Sequence, residues 1–433
     1  PLTMSSLDGE VIFVKSQEND LTESLLERLD ETEVIDLTSK LIKLQSVNPP
    51  GDTKDITRYL TTYLKDKGLD PKIIEPEQGK CGILLSAGRR EIDKTLVLNG
   101  HMDVVPPGDT SQWDFPPFSG KLEDGYVHGR GASDMKGGLA GLVVAFVLAA
   151  TTEEIPGQLQ LMLVPDEETG GQLGTKYFLE NFLEEADGCL IAEPSGKHSP
   201  TTGQKGSLWL EISTKGIPAH GSLYPLQGES AIMAMQKVIE VLSELPETPV
   251  EVPEKVKQVV ELSQEVIEDE EGKEGLGEAL HTITCNVGTI QGGDKVNKVP
   301  ESCRIEADLR IPFGKTAEGV LEALKGKLED RGVIAEVKKT RESADPNYTL
   351  PEEEIVDAVL KSLRTLQDEV TPNPTFQWAS SDAKFFRQQG IPTLQYGPAE
   401  LEGIHSFNEK VSTEDLIFAT KVYLATIGNF MAR

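Results

Sequence analysis

The chain has 433 residues, 38% of them hydrophobic, with a formal net charge of -30 and a pI near 4.6. This length and hydrophobic content suffice for two domains with substantial cores. A polyanion repels nucleic acid and anionic membrane surfaces, so neither is expected as a partner. We therefore expect a small-molecule ligand.

The four cysteines, Cys81, Cys189, Cys285 and Cys303, lie far apart and form no Cys-X-X-Cys pair. Neither a thiolate metal site nor a disulfide framework is indicated. The longest apolar stretch, 139–150, is too short to span a bilayer, and no basic, apolar signal segment precedes it. We expect a cytoplasmic protein.

The first half of the chain alternates predicted helices and strands. Residues 1–30 are polar and acidic with little periodicity, and this N-terminal arm receives no function. Apolar spacing predicts helices over 31–44, 55–67 and 137–150. Predicted strands are 73–75, 82–86, 95–99, 159–164 and 188–192. The order indicates an α/β domain in which helices flank a mixed, largely parallel sheet.

The pattern changes after Gly203. Strands at 207–214, 282–290, 302–310 and 333–337, with helices at 229–242 and 316–331, give the βαββαβ order of a ferredoxin-like α+β domain. We interpret the acidic insert near 246–280 as a solvated excursion. The α/β pattern then returns with a helix at 353–366, a strand at 393–396 and a helix from Thr413. We therefore predict a catalytic domain made of 31–204 and 342–433, with 205–341 inserted as a lid and dimerisation domain.

Polar residues follow the ends of several predicted strands. Open α/β sheets place their sites at the carboxyl ends of the strands, so these side chains should converge. Imidazole and carboxylate ligands without thiolate suit zinc first, with cobalt or manganese as alternatives. The candidate ligands for two divalent metals are His101, Asp134, Glu168, Glu193 and His405.

Residues close in sequence to these candidate ligands suggest further roles at the site. Asp103 can project to the same side as His101 and accept its second imidazole N–H, which fixes the tautomer for metal binding. A carboxylate in the glycine-rich turn around Asp134 could bridge two metals. Adjacent side chains leave an extended backbone in different directions, which favours Glu168 as a ligand and Glu167 as a general base. Two metals would activate water and polarise a carbonyl.

Six segments of the chain match a known family, and the resemblance extends from about residue 31 onward. The sequence resembles the di-zinc metallopeptidase and deacylase family that includes acetylornithine deacetylase, succinyl-diaminopimelate desuccinylase, aminoacylase and glutamate carboxypeptidase. The segments are Gly100–Val105, Gly129–Gly138, Pro165–Gly171, Ala192–Pro194, Gly216–Ser222 and His405–Glu409.

The resemblance implies how the ligands divide between the metals: His101 and Glu193 on one, Glu168 and His405 on the other, and Asp134 on both. It implies that Glu167 is the base and proton shuttle and that Asp103 orients His101. It also implies a cis peptide after Asp134.

In the inserted domain the resemblance points to three residues. His220 would reach the active site of a partner subunit in a homodimer and donate to the oxyanion. Asn286 and Arg310 would bind the substrate carboxylate, which the arginine fork grips at two points. From the residues alone, His220 is an exposed loop histidine and Arg310 an edge-strand ion-pair partner, and both interpretations stay open.

The leading hypothesis is metal-dependent hydrolysis of the amide bond of an N-acyl amino acid, as in acetylornithine deacetylase or succinyl-diaminopimelate desuccinylase. A dipeptidase or glutamate-releasing carboxypeptidase would share every catalytic residue, and the sequence does not separate them. A catalytically silent amino-acid-binding protein is a remote alternative. Against it, every expected ligand and the base Glu167 are present.

Overall fold

A computed structural model of the chain describes residues 3–7, 10–14, 17–152, 155–183, 185–271 and 274–432. The chain divides into two compact units. The first unit comprises the chain up to Thr202 with Thr349–Pro374 and Ser381 onward, and the second comprises Gly203–Tyr348 with Thr375–Ser380. The predicted inserted domain, 205–341, lies inside the second unit.

The secondary structure is given in chain order. The strands are β1 (Thr3–Leu7), β2 (Glu10–Val14), β3 (Lys72–Glu77), β4 (Lys80–Ala87), β5 (Thr95–His101), β6 (Lys121–Glu123), β7 (Tyr126–His128), β8 (Gln158–Val164), β9 (Gly188–Ile191), β10 (Thr201–Gln204), β11 (Gly206–Lys215), β12 (Thr284–Gly292), β13 (Ser302–Ile311), β14 (Ala335–Lys339), β15 (Asn347–Tyr348), β16 (Thr375–Gln377), β17 (Thr393–Gln395) and β18 (Lys410–Ser412). The helices are α1 (Gln17–Glu27), α2 (Glu31–Lys43), α3 (Lys54–Asp66), α4 (Gly137–Ala150), α5 (Tyr177–Phe182), α6 (Ala231–Ser243), α7 (Glu254–Glu271), α8 (Ala317–Asp330), α9 (Glu354–Leu366), α10 (Ala383–Gln388) and α11 (Thr413–Met431).

The first unit is built on a mixed sheet. Strands β17, β9, β5 and β8 are parallel neighbours, β4 and β3 extend the sheet antiparallel beyond β8, and β10 pairs antiparallel with β17. Helices α4, α9 and α11 pack around it. The predicted fold class is confirmed. Because parallel strands end at one edge, the residues that follow β5, β8 and β9 are delivered to the same place.

Helix α4 is buried on nearly all sides and has the bounds that the sequence predicts. The stretch Ala132–Ala150 is long and apolar enough to cross a membrane by length and composition, but 89% of its apolar window is buried within the protein, as in a core helix. A side chain at Gly138 would collide with the carbonyl oxygen of Ala192. The helix therefore begins in direct contact with the end of β9.

The N-terminal arm, to which the sequence assigned no elements, is structured where it is described. Strands β1 and β2 pair antiparallel, and α1 packs against α11. Leu21 and Leu25 of α1 are buried in the core of the first unit. The arm thus adds a helix to this core.

The second unit contains the predicted ferredoxin-like arrangement. Its sheet has the strand order β12-β13-β11-β14, with every neighbouring pair antiparallel. Side chains such as Leu208, Leu210 and Leu309 alternate towards a core that includes α6 and α8. The opposite face carries polar residues, among them Asp308 and Arg310.

Helix α7, in the acidic insert, is not the solvated excursion that its composition predicted. Val256 and Val260 are fully buried, and so is Ser263. The Ser263 hydroxyl oxygen accepts the backbone N–H of Phe376 in β16 at 2.8 Å. Glu254, Glu261 and Glu265 of α7 are exposed, whereas Val256 and Val260 lie on the face that packs within the second unit.

The contact between α4 and the end of β9 predicts an effect on stability. Replacing Gly138 by Ala should destabilise the protein by about 1–3 kcal/mol, because the added methyl meets backbone that cannot move away. Calorimetric unfolding measures this loss. The matched control is Gly326→Ala in α8, where the added methyl meets nothing within 4 Å and should stabilise by up to about 1 kcal/mol. Equal effects in the two variants would contradict the close packing at Gly138.

Candidate metal centre

Four elements of the first unit position four of the five predicted ligands, and the fifth, His405, lies in the loop before β18. His101 is the last residue of β5, Glu168 lies in the single 3₁₀ turn Glu167–Thr169 after β8, and Glu193 follows β9. Asp134 precedes α4, and its peptide bond to Met135 is cis, as the resemblance implies.

Asp134 lies between two imidazoles. Its Oδ1 is 3.1 Å from His101 Nε2, and its Oδ2 is 3.2 Å from His405 Nε2. His101 Nε2 also lies 3.6 Å from Glu193 Oε1, and His405 Nε2 lies 3.4 Å from Glu168 Oε2. Two imidazole–carboxylate groups therefore share one carboxylate.

The residues fit a pair of divalent cations. A tetrahedral ion with bonds of about 2.0–2.1 Å holds its ligand atoms about 3.3 Å apart, close to the separations found here. The ligand atoms of His101, Asp134 and Glu168 all lie within 4.8 Å of one another, and so do those of His101, Glu167 and Glu193. Glu168 Oε1 is buried and has no hydrogen-bond partner among the described residues. Nitrogen and oxygen donors without sulfur suit zinc and related ions.

The electrostatics of the site also favour cations. Burial raises the pKa of Glu167 and of Glu193 well above the usual range, and neighbouring carboxylates raise them further. Burial also raises the pKa of Glu168. At Asp134 burial acts in the same direction, but hydrogen bonds from the two imidazoles outweigh it and lower the pKa. Hydrogen bonds to Asp134 and Glu168 raise the pKa of His405 to about 10. Without metal, protons therefore neutralise this negative charge.

Asp103 lies beside the imidazole of His101, as the sequence predicted, but its backbone oxygen is nearer than its carboxylate. His101 Nδ1 is 2.9 Å from the backbone oxygen of Asp103 and 3.6 Å from its carboxylate Oδ1. The carbonyl is thus the nearer acceptor, because the backbone turns directly after β5. The carboxylate instead accepts the backbone N–H groups of Glu167 and Glu168, each at 3.2 Å. Asp103 therefore holds the turn that carries Glu167, the predicted base, and Glu168, a predicted ligand.

Glu409 has the same relation to the turn that carries Asp134. Its Oε1 accepts the backbone N–H groups of Ser133 at 2.9 Å and Asp134 at 3.1 Å, and its Oε2 pairs with the buried guanidinium of Arg130. Glu409 ends one of the six segments that resemble the family, but the sequence predicted no chemistry for it. Its spacing of four residues from His405 carries no signal for this role.

Another buried acid was also left without a role. Asp382 immediately precedes α10, and burial raises the pKa of its carboxyl group. Its charge is among the secondary causes that raise the pKa of Glu167 and of Glu193. Asp382 therefore adds to the negative potential around the ligands.

The three residues predicted in the inserted domain lie in the second unit. His220 is exposed, and its Nδ1 lies 2.8 Å from the Ser222 hydroxyl oxygen and 3.3 Å from the Ser222 backbone nitrogen. Asn286 is exposed on β12, opposite Asp308 in the register. Arg310 donates to Asp308 Oδ2 at 2.9 and 3.2 Å. The ion pair that the sequence left open for Arg310 is thus present, but β13 is an inner strand of its sheet and not the expected edge strand.

Comparison with known proteins places the chain among metal-dependent hydrolases. The sequence profile described as Peptidase family M20/M25/M40 matches residues 97–429. Succinyl-diaminopimelate desuccinylase of Paracoccus denitrificans (strain Pd 1222) is 28% identical over 411 residues, which cover 92% of this chain and 98% of that protein.

Solved structures agree in fold. The M20 family metallo-carboxypeptidase Sso-CP2 of Sulfolobus solfataricus superposes with a TM-score of 0.75 at 21% identity, covering 93% of this chain and 100% of that one. The Bacillus subtilis YXEP protein, described as a dinuclear metal binding peptidase of the M20 family, has a TM-score of 0.64 at 16% identity, covering 92% and 97%.

The protonation of the metal-free site predicts that metal binding releases protons. At pH 7 His405, with its pKa raised to about 10, holds a proton that a metal must displace, and the buried glutamates with raised pKa values behave alike. Affinity should therefore increase as the pH rises from 6 towards 9. Zinc titrations of chelator-treated protein by calorimetry, in buffers of different ionisation enthalpy, measure the release. Identical heats in all buffers would contradict it.

Proposed function

This chain belongs to peptidase family M20/M25/M40 and hydrolyses amide bonds, and we propose that its substrate is an N-acyl amino acid. Two zinc ions are proposed as its metals, with cobalt or manganese able to replace them. The observation that carries the proposal is Asp134, whose two carboxylate oxygens contact two imidazoles beside the half-buried Glu167. The desuccinylase relatives, which match over nearly their whole length, support a deacylase.

In the proposed division His101 and Glu193 hold one metal, Glu168 and His405 hold the other, and Asp134 is shared. When bound, two divalent ions supply an activated water and polarise the carbonyl that it attacks. The chain's own residues then position the groups and move the protons.

Glu167 is the proposed proton carrier. Burial and the neighbouring Glu193 raise the pKa of its carboxyl group, so that it can take a proton from water and release it again to the leaving nitrogen. Asp103 accepts the backbone N–H of Glu167 and thereby fixes the position of the backbone from which this side chain extends. General base catalysis of this kind contributes about 10² to 10⁴-fold.

The second unit supplies the proposed substrate contacts. Asp308 holds the guanidinium of Arg310 through two N–H groups, which orients it to bind a substrate carboxylate together with Asn286. His220 of the partner subunit is the proposed oxyanion donor, and the contact of Nδ1 with Ser222 leaves its Nε2 for this role.

A homodimer through the second unit is part of this proposal. Strand β12 lies at the edge of its sheet. Ile290 on this strand is 57% exposed, and Ile232 and Met233 at the start of α6 are 39% and 46% exposed. An edge strand beside exposed apolar side chains suits pairing with a second copy. A reducing cytoplasm is proposed as the location, in keeping with four cysteines that form no disulfide.

A substrate panel tests the proposal. The zinc-loaded protein should hydrolyse N-succinyl or N-acetyl amino acids faster than dipeptides, and Glu167→Gln should lose about 10² to 10⁴-fold in kcat while retaining its metal. Turnover and metal content by elemental analysis are the measurements, with the exposed Glu180→Gln as control. Hydrolysis of dipeptides alone would identify an exopeptidase instead. Full activity of Glu167→Gln would exclude Glu167 as the base.

The shared oxyanion donor predicts complementation. His220→Ala and Glu167→Gln chains should each be nearly inactive, but mixed dimers should regain activity at the one site that combines intact copies of both residues. Co-expression with two affinity tags isolates these dimers for a turnover assay. Mixed dimers no more active than the parent variants would contradict the sharing, as would a monomer in analytical ultracentrifugation.

A further inference from the structure

The first residue of β4 is a lysine buried beside the metal centre. Lys80 Nζ lies 3.0 Å from Asp166 Oδ1 and 3.3 Å from Asn48 Oδ1. The side chains of Lys80 and Asp166 are only 10% and 9% exposed. Removing one partner of such a buried pair leaves the other charge uncompensated.

Asp166 opens the turn that carries the base and a ligand. Its φ of 77° lies in the left-handed region, which residues other than glycine rarely adopt. Its Oδ1 accepts the hydroxyl of Thr169 at 2.7 Å, and its Oδ2 accepts the backbone N–H of Leu173 at 3.1 Å. Its side chain therefore ties the start of the turn to its end, with Glu167 and Glu168 between.

Asn48 connects the same lysine to the other support of the turn. Its Nδ2 donates to Asp103 Oδ2 at 2.8 Å and to Thr169 Oγ1 at 3.0 Å. Asp103 in turn accepts the backbone N–H groups of Glu167 and Glu168. Lys80 thus contacts Asp166, which ties the start of the turn to its end, and Asn48, which links the turn to Asp103.

We propose that Lys80 is a positioning residue for the catalytic turn, which acts through Asp166 and Asn48 to fix the Glu167 carboxyl group and the ligand Glu168. Among the side chains that make these contacts, Lys80 is the cation that compensates Asp166. Without it a buried carboxylate loses its partner and the turn loses its anchor. This role differs from a general contribution to stability, because loss of the Lys80 side chain would change the geometry of the candidate metal ligands and not only lower Tm.

The structure makes room for this ammonium group at Gly51. A side chain there would collide with Lys80 Nζ and with the amide of Asn48. Gly51→Ala should therefore displace Lys80 without changing its charge. Gly68 offers a matched control, since its φ of 82° is close to the 74° of Gly51 and an added methyl meets nothing within 4 Å.

The test compares Lys80→Met with Lys94→Met. Lys94 is another lysine of the first unit with a largely buried side chain, and it pairs at 2.6 Å with Glu354, whose side chain is 37% exposed; neither residue is a candidate ligand. Both variants should lower Tm. Only Lys80→Met should reduce kcat and metal affinity, by about 10–100-fold as for other residues that orient metal ligands, with KM little changed. Only Lys80→Met should also shift the visible absorption of the cobalt-substituted protein.

A Lys80→Met protein with the kcat, metal affinity and cobalt spectrum of the parent would overturn the proposal, whatever its Tm. Where Lys80→Met fails to fold, Gly51→Ala against Gly68→Ala decides: a shifted cobalt spectrum in Gly51→Ala alone supports the role, and unchanged spectra in both overturn it. Metal affinity and the spectrum require no substrate. Failure of the proposed deacylase activity would therefore leave this test intact.

Discussion

Much of this structure depends on one electrostatic constraint, the close approach of several carboxylates that water does not screen. Asp134, the adjacent Glu167 and Glu168, and Glu193 come from three separate segments and meet around the buried imidazole of His101. Repulsion between like charges grows as the surroundings become less polar. Such a cluster persists only with protons or cations as compensation. The parallel sheet sets where these side chains meet, and the surrounding network keeps them there.

In that network a buried carboxylate supports a turn by accepting two successive backbone N–H groups, and this arrangement occurs twice. Glu409 accepts two successive backbone N–H groups of the turn that carries Asp134, and Asp103 does so for the turn with Glu167 and Glu168. Hydrogen bonds from backbone to carboxylate are short-range and directional, so each turn is fixed relative to a buried residue rather than by its own flexible side chains. The ligands thus inherit the rigidity of the core.

The sequence predicted the parts of the fold and site whose signals are local. Strand β8 is a short apolar run that ends in an acidic pair, and α4 is a continuous run of small and apolar residues, so both were found with nearly correct bounds. The supports of the site escaped because their contacts are distant in the chain. Lys80 and Asp166 are 86 residues apart, and no periodicity relates them. The prediction for α7 was wrong because charged residues dominate its composition, while its buried face consists of a few residues such as Val256 and Val260.

The division of the first unit into separate stretches of chain has a consequence for biosynthesis. His101, Asp134, Glu168 and Glu193 leave the ribosome in one run, whereas His405 follows only after the whole second unit. About 200 residues separate the last two ligands, roughly 10 to 40 s of synthesis at ordinary rates. During that interval a nascent chain presents an unfinished, strongly acidic ligand set. A copy that ends before His405 would lack one of the two imidazoles proposed to hold metal, and on the proposed mechanism it would not hydrolyse an amide bond.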